Sequence, residues 1–155
     1  GAPLPTHTYG LTDYAKAFGR ARDAGLGRTV HAAEGRSPEE IRIAIENLHA
    51  NRIGHATTLL DNASVVECVL DHHILIEACP TSNVHTGVID SVAQHPLKKW
   101  LELGISVCIC TDNTLFSQVD SPEEHRRILE IPALNTQDVQ RMVTMGHKGA
   151  FKRPS

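Results

Sequence analysis

The chain has 155 residues, 41% of them hydrophobic and 21% charged, with a net charge of −3. That length fits one domain, and the composition is that of an ordinary globular protein. No basic run offers itself to nucleic acid or to an anionic membrane, and the longest apolar stretches are strand-sized, too short to cross a bilayer.

Residues 11–24 place Leu11, Tyr14, Ala15, Phe18, Ala21 and Ala24 at helical spacing, with Gly25 and Gly27 as a stop. The short strand "RTVHA" follows. Ser37 then reads as an N-cap, with Pro38 at the first helical position and Glu40 closing a capping box. Ile41, Ala44, Ile45 and Leu48 form the apolar face of that helix. "RIGH" is a second strand, and "DNASVVECVL" a helix capped at Asp61 or Asn62. "ILIEACP" is a third strand stopped by Pro80, and a loop through Thr81, Ser82, Asn83 and Gly87 leads to a helix across "HPLKKWLEL". "SVCICT" is a fourth strand. Ser121, Pro122 and Glu124 repeat the cap-proline-glutamate signature, and a last helix starts near Thr136 with Val139, Met142 and Val143 on one face. Strand and helix thus alternate, which predicts an α/β fold with a parallel sheet. The four cysteines, Cys68, Cys79, Cys108 and Cys110, form no CxxC pair. They read as buried, reduced thiols of a cytoplasmic protein.

Three strands end in a residue that can bind a metal or move a proton: His31, His55 and Asp112. The third strand carries Glu77 inside its apolar run. In a parallel barrel the C-terminal strand ends converge on one rim, where chemistry sits, so residues far apart in sequence can meet.

The motifs "TVHAAEG", "NRIGHAT", "EACPTSNVHTG" with "HPL" downstream, and "CICTDNTLFS" resemble, in order and spacing, the C-terminal half of adenosine deaminases. Adenine and AMP deaminases share the first, second and fourth in looser form. The resemblance implies a (β/α)8 TIM barrel with one catalytic Zn2+, converting adenosine or 2'-deoxyadenosine to inosine and ammonia. It further implies that His31 and Asp112 are zinc ligands, and that Asp112 also acts as a base. Glu34 would protonate the purine nitrogen next to the attacked carbon, and His55 would orient the attacking water. Asn113 would bond purine N7, and Gly1 matches a glycine that touches the nucleoside. The roles suit the chemistry, since zinc lowers the pKa of water to about 7 and a buried carboxylic acid can hand over a proton.

Three departures stand out. The family begins with an HxH pair supplying two more ligands, and no HxH occurs in this chain. Ala33 stands where the family has glycine, and Asn113 where aspartate is commoner; an amide donates to an acceptor nitrogen at any pH. Starting at Gly1 instead of Met, residues 1–155 therefore read as the C-terminal half of a barrel, strands five to eight. The N-terminal half would come from a separate polypeptide, from self-association, or from the rest of a longer protein. The rival expectations are an inactive half-barrel serving as a structural or interaction module, and an adenine or AMP deaminase.

Overall fold

The computed structural model describes residues 10–151. Four short strands, β1 (Thr29–Ala32), β2 (Arg52–His55), β3 (Leu75–Ala78) and β4 (Ser106–Ile109), lie in that order, each neighbouring pair parallel. Helix α1 (Ala15–Asp23) leads into β1, and α2 (Glu39–Glu46) and α3 (Ala63–Asp71) make the next two crossovers. Helices α4 (Pro80–His85) and α5 (Leu97–Glu102) join β3 to β4. After β4 come α6 (Thr114–Ser117), α7 (Ser121–Arg127) and α8 (Thr136–Gly149).

Strand alternation sends Val30, Ala32, Ile53, Ile76, Ala78 and Val107 to the helix side, where they are buried with Ile41, Ile45, Leu48, Val65, Leu97 and Trp100. Each aliphatic side chain buried there contributes about 1.5–3 kcal/mol. The opposite face carries Thr29, His31, Arg52, Glu77 and Cys108. Glu77 does not join His31: its carboxylate accepts Thr29 Oγ1 at 2.5 Å and pairs with Arg52 Nε at 3.2 Å. Helix α8 lies along the outer edge of β4, where Met145 Sδ accepts the Val107 N–H at 3.4 Å. Its end comes so close to the sheet that a Cβ on Gly149 would sit 2.2 Å from Leu75 Cδ2.

Three local expectations are corrected. The stretch after Pro80 is a helix, not a loop, because Pro80 supplies a first residue with a helical φ. The capping box at Ser37 and Glu40 does not form. Ser37 Oγ accepts the Glu39 N–H at 3.3 Å, and Glu40 instead reaches back to accept the Ala33 N–H at 2.9 Å, bracing the exit of β1. Helix α7 is capped by Asp120, which accepts the Glu123 N–H, and not by Ser121; Glu124 is fully buried. The thiols behave as expected: Cys68, Cys79 and Cys108 are buried, Cys110 is partly so, and all four are free. Cys108 and Cys110 share a face, their sulfurs 3.9 Å apart. Among the described residues no helix is long and apolar enough to cross a membrane.

Candidate active site

Beyond β1 the backbone turns at Ala33, whose φ of +57° lies in the left-handed region, and again at Gly35, at +62°. Only glycine fits the second turn, since a Cβ there would come within 2.6 Å of Val88. These turns fold Glu34 back over the strand end toward His31. At the end of β2, alternation alone would send His55 into the helix layer beside Ile53. Its φ of +69°, followed by +55° at Ala56, swings the ring to the rim, where its centroid lies 4.4 Å from that of His31. Asp112, past β4, is left-handed too, at +56°. Each such non-glycine residue costs on the order of 1–3 kcal/mol, and strain of this kind clusters at functional sites.

The result is a compact cluster: one ligating atom from each of His31, Glu34 and His55 lies within 4.8 Å of the others. His31 Nε2 is 3.4 Å from Glu34 Oε2, and His55 Nδ1 is 3.5 Å from Glu34 Oε1. Burial lowers the pKa of His31 below its ordinary value and His55 adds to this, while Glu34 and Asp112 pull the other way. The imidazole is thereby kept in its neutral, metal-binding form. Its Nε2 is buried and has no hydrogen-bond partner among the described residues. A buried, neutral imidazole nitrogen left without a partner at this rim is the kind of donor that zinc takes.

The residues that hold this cluster in place carry no role in the sequence motifs. Asn83, wholly buried, donates through Nδ2 to Glu34 Oε1 at 2.9 Å and to His55 Nδ1 at 3.1 Å. With Nδ1 accepting, the neutral His55 ring carries its proton on Nε2. Thr86 Oγ1 donates to the same Glu34 oxygen at 3.0 Å, and Ser82 Oγ to Asp112 Oδ2 at 2.7 Å. One short helix, α4, thus touches the exits of β1, β2 and β4. The available signal was a run of hydrogen-bonding residues directly after a strand-ending proline. Asn113 caps α6, its Oδ1 accepting the Phe116 N–H at 3.0 Å, so its Nδ2 is the half left to donate. Gly1 lies outside the described residues.

The family model described as adenosine deaminase matches residues 2–154. An adenosine deaminase of Vibrio cholerae is 38% identical over 134 residues, covering 86% of this chain and 40% of its own length. An adenine deaminase of Agrobacterium fabrum is 33% identical over 141 residues, covering 91% and 43%. Among solved structures, a zinc-bound amidohydrolase from Burkholderia ambifaria superposes with a TM-score of 0.84 at 22% identity, over 97% of this chain and 43% of that one. An Arabidopsis protein, ADAL, complexed with IMP gives a TM-score of 0.82 at 20% identity, over 96% and 43%. The chain therefore spans about two fifths of the length of the curated relatives it matches.

Proposed function

Since the chain belongs to the adenosine deaminase family, we propose that it carries half of a zinc-dependent active site that hydrolyses adenosine or 2'-deoxyadenosine to inosine and ammonia. The observation that carries this reading is the placement of His31, Glu34 and His55 within 4.8 Å at the C-terminal rim of a parallel sheet.

In this reading His31 and Asp112 hold the metal. Zinc, when bound, makes water acidic enough to attack an aromatic carbon at neutral pH. Glu34 works with its oxygens divided. Asn83 and Thr86 fix Oε1, and Oε2 remains to carry a proton to the ring nitrogen beside the attacked carbon. Protonating the ring there spares the adduct a negative charge on an aromatic nitrogen. His55, its Nδ1 held by Asn83, directs an Nε2–H toward the entering oxygen and orients it. Asp112, fixed by Ser82, takes one proton from the entering water and delivers it to the amino group, whose C–N bond breaks to release ammonia. The oxygen's second proton, lost as the carbonyl forms, restores Glu34. Asn113 donates its Nδ2–H to purine N7.

The four strands are completed to a closed barrel by four more, from the rest of a longer protein or from a partner chain. Supporting this, the solved neighbours match over 43% of their length, and β1 pairs on one side only among the described residues. The test is to load the complete protein with zinc and follow adenosine, adenine and AMP in parallel. Conversion of adenosine to inosine with equimolar ammonia is expected. Exclusive turnover of adenine, the substrate class named for the Agrobacterium relative, would reassign the substrate, and no turnover with full zinc occupancy would remove the catalytic reading.

A further inference from the structure

Glu124 is a carboxylate the proposed chemistry does not use, and its burial demands a reason. It lies in α7 with no solvent exposure. Its Oε1 accepts the Thr81 N–H at 2.8 Å, and its Oε2 has no hydrogen-bond partner among the described residues. An unpartnered buried polar atom is unfavourable, and an apolar side chain of the same volume would fill this space without that penalty. What an apolar side chain cannot do is hold Thr81. Pro80, the first residue of α4, has no N–H, so Thr81 presents the first backbone donor of that helix. Arg127, also on α7, adds a second tether, its Nη1 lying 3.5 Å from Thr81 Oγ1. The next two residues after Thr81 are the ones that reach the site. Ser82 donates to Asp112, and Asn83 donates to both Glu34 and His55.

We propose that Glu124 is a positioning residue: by anchoring α4 at Thr81 it fixes Ser82 and Asn83 against Asp112, Glu34 and His55, and so sets the rate of the reaction. The inference rests on the function proposed for the site. Glu124 acts through a backbone N–H, so an acceptor oxygen at the right reach is what it must supply. A misplacement of the order of 1 Å at reacting groups costs about 100-fold in rate.

The experiment compares Glu124→Gln, which keeps an acceptor oxygen, with Glu124→Met, which keeps the volume and loses it. Both are made in the complete protein at saturating zinc. The Gln variant is expected to keep kcat near the unsubstituted value. The Met variant should lose about 100-fold in kcat with KM little changed, because Asn113 is not on α4. Amide hydrogen exchange at Thr81 should accelerate in the Met variant and not in the Gln variant. Unchanged kcat in Met, or equal losses in Met and Gln with Thr81 equally protected, overturns the proposal. Should Met fail to fold, Glu124→Asp asks the same question by withdrawing the oxygen one methylene, and native kcat there overturns it too. If the unsubstituted protein makes no inosine, the proposed function fails by itself. Thr81 exchange still judges the anchor: acceleration in Met over Gln upholds it, and equal protection defeats it.

Discussion

Glu34 holds its two oxygens in different company, and that asymmetry generates the sharpest expectations at the scale of single residues. Oε1 takes two donors, while Oε2 lies 3.4 Å from His31 Nε2 and faces the site. Glu34→Gln should leave zinc bound and reduce kcat by about 10²–10⁴-fold, the usual contribution of a general acid. Near-normal inosine formation by that variant would remove Glu34 from the mechanism. Removing His31 or Asp112 should lower the zinc content of the complete protein, whereas His55→Ala should keep most of the metal and lose rate; metal analysis showing all three fully loaded would defeat the assignment of ligands. The meeting of His31, Glu34 and His55 was legible in the words around the strand ends. His31, Glu34 and His55 sit in short motifs whose spacing survives folding. The structure also explains one departure from the resemblance: Ala33 occupies a left-handed position, φ +57°, which accounts physically for a glycine there. Asn83 was not legible, because its importance lies in a contact with Glu34 forty-nine residues away.

Among the elements, the strands and the longer helices followed from periodicity, and the errors gathered where tertiary contact overrides local chemistry. Glu40 satisfies the capping-box pattern, yet it serves the Ala33 N–H across a turn. The stretch after Pro80 reads as a loop because its residues favour turns, and it becomes a helix whose Thr81, Ser82 and Asn83 are all bonded to other elements. The connection between α4 and α5 has a consequence for pH. His95 is buried edge-on against Trp100, with ring centroids 5.1 Å apart, and its Nδ1 accepts the Leu97 N–H at 3.2 Å. Burial lowers its pKa to about 3, with His55 contributing. The folded form therefore resists a proton that the unfolded chain takes up near its ordinary 6.5. Its neutral burial is fully tolerated above that value, and stability falls as pH drops from there toward 3, by at most on the order of 4 kcal/mol. His31, also lowered, pulls in the same direction. Urea midpoints measured from about pH 7 to about pH 4 should decline steadily. His95→Asn, which keeps an acceptor for the Leu97 N–H, should flatten that slope. An unchanged slope in the variant would rule out His95 as a source of the acid sensitivity.

At the scale of the whole molecule, the decisive fact is how much of a site four strands can build. A (β/α)8 barrel typically takes about 250 residues, and the 155 residues here form a sheet whose inner face carries His31, Arg52 and Glu77. Catalytic zinc sites usually have three protein ligands; the reading proposed above takes two from this chain, His31 and Asp112, and no HxH occurs in the sequence to add to them. Two ligands hold a metal weakly, and Asp112 and Asn113 are exposed, so water reaches a reaction that depends on excluding it. The 155-residue chain purified alone and supplied with zinc should therefore yield no measurable inosine from adenosine. Adding a polypeptide that carries four further strands and the remaining ligands should restore zinc binding and turnover together, because both depend on the same closure. The two should rise with one dependence on partner concentration, read by metal analysis of the complex and by inosine formation in the same samples. Efficient turnover by the isolated chain would show that two ligands and an open sheet suffice, and half a site would then be the wrong description of this protein.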